Sequence, residues 1–149
     1  MKRLVGTILD ALATAGPASA AAGGCHAVSG TFVAASPPTC AGIICTQGLL
    51  SGDLAGIYSF VGYAFTPSGS VLGHSTITLD NGAMITSDDE SVLFGPPIPG
   101  TGFVTTVNFT GGTRQFAHAT GGLVAPGVFT DSGTAGTYAG KYCLGKGAQ

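Results

Sequence analysis

Glycine is set into stretches of this chain that otherwise read as extended strands, and that pairing constrains the fold more than any other feature. Within residues 47–65 alone, Gly48, Gly52, Gly56 and Gly62 interrupt a run rich in Leu, Ile, Tyr, Phe and Val. Inside a helix each would cost about 1 kcal/mol relative to alanine. Inside a strand a glycine marks a bulge or sharp bend, the devices that coil a sheet toward closure. The chain has 149 residues, 26 of them glycine, and only 8% are charged. Helices draw their solvent faces from Glu, Lys, Arg and Gln, so this composition excludes helical bundles and coiled coils. A net charge of −2 leaves no basic surface to neutralise phosphates, which excludes a nucleic-acid partner. The length suits a single domain.

A pass along the chain yields seven or eight strands with turn signals between them. Residues 27–35 read as a first strand ended by Ser36-Pro37-Pro38, and 47–65 as a long extended stretch. Residues 72–80 and 83–94 flank Asn81-Gly82, a strong hairpin signal because Asn-Gly accepts positive φ at little cost. A rigid loop follows at 95–100, and 103–109, 121–129 and 134–144 supply the remaining strands. Such spacing belongs to an antiparallel barrel or sandwich. Both faces of residues 57–65 are apolar: Ile57, Val61, Tyr63 and Phe65 against Tyr58, Phe60 and Ala64. One face therefore lines an interior, and the other is covered or packs on a partner, such as a second copy of the chain. Long strands poor in Lys and Pro favour closure, since open edges would aggregate. The expectation is an all-β, closed, roughly eight-stranded antiparallel barrel over residues 47–144, stabilised by disulfides.

The first twenty residues read as an export signal. Lys2 and Arg3 precede an apolar stretch at 4–15 flawed by Asp10, and Ala18-Ser19-Ala20 fits a cleavage site after Ala20. The barrel domain is then 21–149, destined for secretion or the periplasm, and no later segment is apolar enough to span a membrane as a helix. All four cysteines lie beyond the signal, which suits two bridges in an oxidising compartment. Zinc is disfavoured because Cys40 and Cys45 have no second pair at matching spacing, and no metal site is expected. In an antiparallel meander with an even number of strands, the start of the first lies beside the end of the last. If the barrel opens near Cys45, that argument pairs Cys45 with Cys143 and leaves Cys25 for Cys40. The rivals are Cys40–Cys45, and Cys25–Cys45 with Cys40–Cys143.

Residues 111–121, Gly-Gly-Thr-Arg-Gln-Phe-Ala-His-Ala-Thr-Gly, resemble the G-G-T-G-x-F-x-x-A-x-G signature of the allene oxide cyclase and dirigent barrel superfamily. The Gly-Thr-Ala-Gly-Thr-Tyr-Ala-Gly ending at 133–140 and the early stretch at 48–58 resemble its exported relatives. Arg114 departs from the pattern, standing where the family has glycine. The resemblance implies an eight-stranded antiparallel barrel with an interior sized for a small molecule. Its enzymes steer cyclisation of an apolar substrate, its dirigent members guide radical coupling without redox chemistry, and others carry only the barrel.

Side chains able to carry chemistry are few. Asp88, Asp89 and Glu90 form the densest charge cluster, and Asp88 and Glu90 share a face with Met84 and Thr86. If that face is inward, either carboxylate is a candidate acid or base, with Tyr58 as a third candidate; otherwise the cluster solvates a rim. His74 and His118 have no metal-pair spacing, and no nucleophile elbow or phosphate loop occurs. The larger side chains opposite small ones, Tyr58, Phe60, Met84, Val104 and Tyr138, are the expected ligand-binding set. Three functions compete: an exported barrel holding a small apolar or aromatic ligand without turnover, a non-redox isomerase or cyclase, and an exported structural or surface-interaction protein. None calls for a cofactor. A lone interior carboxylate with tyrosines favours the enzyme, and a solid aliphatic interior the structural role.

Overall fold

The computed structural model describes residues 24–146, so the expected signal at 1–20 lies outside the described residues. Eight strands follow one another: β1 (Cys25–Ala35), β2 (Ile44–Gly52), β3 (Gly56–Phe65), β4 (Val71–Leu79), β5 (Met84–Leu93), β6 (Gly102–Gly112), β7 (Thr120–Phe129) and β8 (Gly133–Cys143). Each pairs antiparallel with its neighbours in sequence, and β8 returns to β1, closing the barrel. The only helical element among the described residues is a single 3-10 turn, Arg114–Phe116. No helix among them is long and apolar enough to cross a membrane.

Two boundaries differ from the expectation. The extended stretch at 47–65 is two strands, because Gly52 adopts φ +97° and the chain reverses at Asp53-Leu54-Ala55. The barrel also starts earlier than residue 47: β1 pairs with β8 from Cys25↔Cys143 to Ala35↔Gly133. The disulfides change accordingly. They join Cys25 to Cys143 and Cys40 to Cys45, so the expected Cys45–Cys143 and Cys25–Cys40 pairs are wrong. The first strand does end beside the last, but that strand is β1, and Cys25 takes the place assigned to Cys45. Cys40–Cys45 instead ties the 36–43 connection to the start of β2. Two bridges are consistent with an oxidising, extracellular environment.

The lumen shows what the strand glycines do. A Cβ on Gly73 would overlap the Phe60 ring, one on Gly127 or Gly136 would overlap Phe32, and one on Gly30 would overlap Tyr138. Phe60, Phe32 and Tyr138 thus occupy space that a side chain at these glycines would fill, so aromatics fit inside a barrel of only eight strands. The inner faces carry Val28, Phe32, Leu50, Ile77, Ile85, Val107, Phe109 and Leu123, all buried. The outer wall mixes Ser, Thr, Ala and Gly with exposed apolar side chains: Val33, Leu49 and Ile57 are adjacent in register as a strip, and Tyr63, Phe65, Val92, Val124 and Val128 are exposed as well.

The two ends of the barrel are unlike. At one end the β2–β3, β4–β5 and β6–β7 connections fold inward, burying Leu54 (1% exposed), Ala83 (0%), Phe116 (3%) and Ala119 (2%) as a plug. Tyr138 holds it from below: its hydroxyl accepts from Leu54 N at 3.0 Å and donates to Ser51 O at 2.8 Å. Arg114 sits here at φ 53°, the one non-glycine residue with positive φ among those described. Its guanidinium donates to Asn81 O at 2.6 Å, tying the β6–β7 connection to the β4–β5 turn. That bond offsets the roughly 1 kcal/mol a Cβ costs in the left-handed region. The opposite end carries the 36–43, 66–70, 94–101 and 130–132 connections and has no such plug.

Candidate functional site

A cavity of about 100 Å³ occupies the lumen toward the unplugged end. Its wall comes from every strand: Phe32 of β1, Thr46 and Leu50 of β2, Tyr58 and Phe60 of β3, Ser75 and Ile77 of β4, Asp89 and Ser91 of β5, Val107 of β6, Leu123 of β7 and Tyr138 of β8. Most of that surface is aliphatic or aromatic, as small-molecule sites generally are. Closure of the sheet brings these residues together, since alternate residues of each strand face the axis.

Of the expected ligand-binding set, Tyr58, Phe60 and Tyr138 do line the cavity, whereas Met84 and Val104 do not. Val104 alternates out of phase with buried Phe103 and half-buried Thr105, so it faces the outer wall, and Met84 lies one residue out of phase with buried Ile85. The same parity corrects the carboxylates. On β5 the residues buried against the lumen are Ile85, Ser87, Asp89 and Ser91, which leaves Asp88 and Glu90 exposed to solvent. Asp88 accepts or shares a hydrogen bond with His74 Nδ1 at 2.8 Å on the outer wall, and the Tyr63 ring stacks on that imidazole at 4.8 Å. Neither Asp88 nor Glu90 can act as an acid or base in the lumen.

Asp89 is the carboxyl that can. It is 4% exposed, and no Lys, Arg or His lines the cavity with it. The Ser75 hydroxyl donates to Oδ2, while Oδ1 and the buried Ser87 Oγ have no hydrogen-bond partner among the protein's groups. Burial pushes the Asp89 carboxyl above its ordinary value of 3.8, with the neighbouring Ser75 and Ser87 hydroxyls pulling the other way. Ser91 Oγ and Thr105 Oγ1 bond each other at 2.7 Å nearby. Tyr58 lies in the same lumen, its phenol raised by burial while the Thr134 and Thr46 hydroxyls beside it act in the opposite sense. The remaining histidines stand elsewhere: His118 is exposed on the plugged end, and His26 stacks on Tyr142 at 5.0 Å. No cluster of three metal-ligating side chains occurs among the described residues.

Comparison with protein-family models, curated proteins and solved structures finds no match to this chain.

Proposed function

We propose that this chain is an exported barrel that holds a small, largely apolar molecule in its lumen without turning it over. The observation that carries the reading is the asymmetric filling of the barrel. One end is packed shut by Leu54, Ala83 and Phe116, while a cavity of about 100 Å³ remains toward the other. Residues packed only for stability would be expected to fill both ends alike. An engineered apolar cavity of about 150 Å³ takes up benzene, so this one suits a five-membered ring or a branched chain of similar size rather than an extended lipid. Affinity for such a probe should be on the order of 100 μM, about −5.5 kcal/mol. Heteronuclear NMR titration of the disulfide-bonded protein with methylenecyclopentane tests this. Saturable shifts confined to lumen residues support it, and their absence at millimolar probe argues against it.

A second reading, a non-redox isomerase or cyclase, is favoured by Asp89 and Tyr58. A buried carboxyl in an apolar cavity could hand a proton to a bound substrate and take one back. The resemblance at 111–121 supports either reading equally. Those residues form the plug end of β6, the 3-10 turn and the start of β7, away from Asp89.

A further inference from the structure

We infer that the molecule this cavity selects is small, neutral and equipped with one hydrogen-bond-accepting oxygen, such as a ketone or aldehyde, with the Asp89 carboxyl as its donor. The inference rests on the ligand-holding reading above and specifies its chemistry.

The argument starts from an imbalance in the lumen. Buried polar groups in folded proteins are nearly all paired, and an exception needs a reason. Asp89 has one oxygen satisfied by Ser75 and one satisfied by nothing in the protein. A carboxylate in that position would hold an unpaired charge in an apolar barrel, which is far more costly than holding a proton. Protonation relieves that cost, and the proton then requires an acceptor. No protein hydroxyl meets Oδ1: Ser75 bonds Oδ2, and Ser91 and Thr105 bond each other. Ser87 Oγ, beside Asp89 on the same face of β5, makes no hydrogen bond of acceptable geometry and is itself left unpaired. Asp89 stands in the cavity wall, so a ligand oxygen can fill the role.

Other ligand classes fit less well. A carboxylate ligand would bring a second buried charge with no cation to meet it. An ammonium would force Asp89 to ionise and bury an ion pair in an apolar lumen, where both charges lose their hydration. The charged and titratable groups around Asp89 do not alter that choice. β4 presents His74 and β5 presents Asp88 and Glu90, all on the outer wall; facing β6 brings Val107 and Asn108, and Tyr58 shares the lumen.

The test pairs two probes of one shape, cyclopentanone and methylenecyclopentane, titrated into the wild-type chain, Asp89→Leu and Asp89→Asn. The hydrocarbon should bind all three, which shows that each variant keeps its cavity. Cyclopentanone should bind wild type and lose about tenfold in affinity in Asp89→Leu, the size of one hydrogen bond to a desolvated donor. Asp89→Asn, which keeps a donor, should retain ketone binding at every pH. Wild type should lose it as pH rises through the raised carboxyl value. A ketone-to-hydrocarbon ratio that is equal in wild type and Asp89→Leu overturns the inference alone. So does cyclopentylamine binding wild type more tightly than the ketone. Failure of both probes to bind wild type overturns the ligand-holding reading and this inference with it.

Discussion

The plugged end and the cavity end are built from the same eight strands, yet they solve opposite problems. At the plug, Leu54, Ala83, Ile85 and Phe116 are each 3% exposed or less, and two backbone groups are fixed by the Tyr138 hydroxyl. Toward the other end Val71 and Phe103 are buried, but Ile44, Phe60, Leu93 and Phe129 are only half-buried, and two lumen-facing polar atoms, Asp89 Oδ1 and Ser87 Oγ, are unpaired. A closed sheet needs side chains somewhere along its axis to hold its shape, but it does not need them everywhere. Concentrating packing at one end secures the fold and frees the other for a ligand. Stability and recognition are thereby separated along the barrel axis rather than shared by the same residues.

The comparison is broken most strongly through the disulfides, which sit at opposite ends. Removing Cys25–Cys143, which spans 118 residues, by paired Cys→Ser substitution should cost up to about 4.7 kcal/mol in the chain-entropy picture. Removing Cys40–Cys45, which spans 5 residues, should cost about 2 kcal/mol on the same scale. Urea denaturation checks both, and equal losses would mean that the two ends are not energetically distinct. Next in size is the contrast between two phenylalanines. Phe116→Ala, inside the plug, should cost about 3–5 kcal/mol, and Phe60→Ala, half-buried beside the cavity, about half as much or less. Phe60→Ala should also enlarge the cavity and shift its preference toward bulkier probes.

The smallest expected effect is a change of slope. The folded chain holds the Asp89 proton more tightly than the unfolded chain does, since burial raises the carboxyl above 3.8. Between those two values the folded state binds more protons, so the Asp89 contribution lowers stability as pH rises and levels off above the raised value. Asp89→Asn should remove that component and leave the protein more stable than wild type near neutral pH. Thermal melts across the acid-to-neutral range would show it; an unchanged slope would place the Asp89 carboxyl in contact with solvent.

Much of the architecture was legible in residue order, because glycine-punctuated strands and the Asn81-Gly82 turn are local signals. The all-β class and the closed barrel followed from them. Two features were not local. Residues 27–35 read as a strand, but nothing in them says that this strand closes the barrel, and the cysteine pairing went wrong with that omission. The carboxylate facing the lumen was misplaced by one residue. On β5 the two alternating sets, Met84-Thr86-Asp88-Glu90-Val92 and Ile85-Ser87-Asp89-Ser91-Leu93, mix two carboxylates and one, respectively, with apolar residues. What separates them is register: Ser87 lies opposite buried Phe109 and Asp89 opposite buried Val107 on β6, which is visible only once the pairing is known.

The bond between Cys25 and Cys143 also changes what kind of molecule this is when it is cut. Between those two sulfurs the backbone is a covalent ring, and the described segment enters and leaves it side by side at the plug, where Leu144 N donates to Gly24 O at 3.3 Å. A protease that nicks the 94–101 connection therefore opens a ring rather than severing a chain. The product gains one water, stays a single molecule and comes apart only on reduction. For the same reason, a polypeptide fused to either end of the described barrel leaves from the plugged side, and the cavity end stays unobstructed.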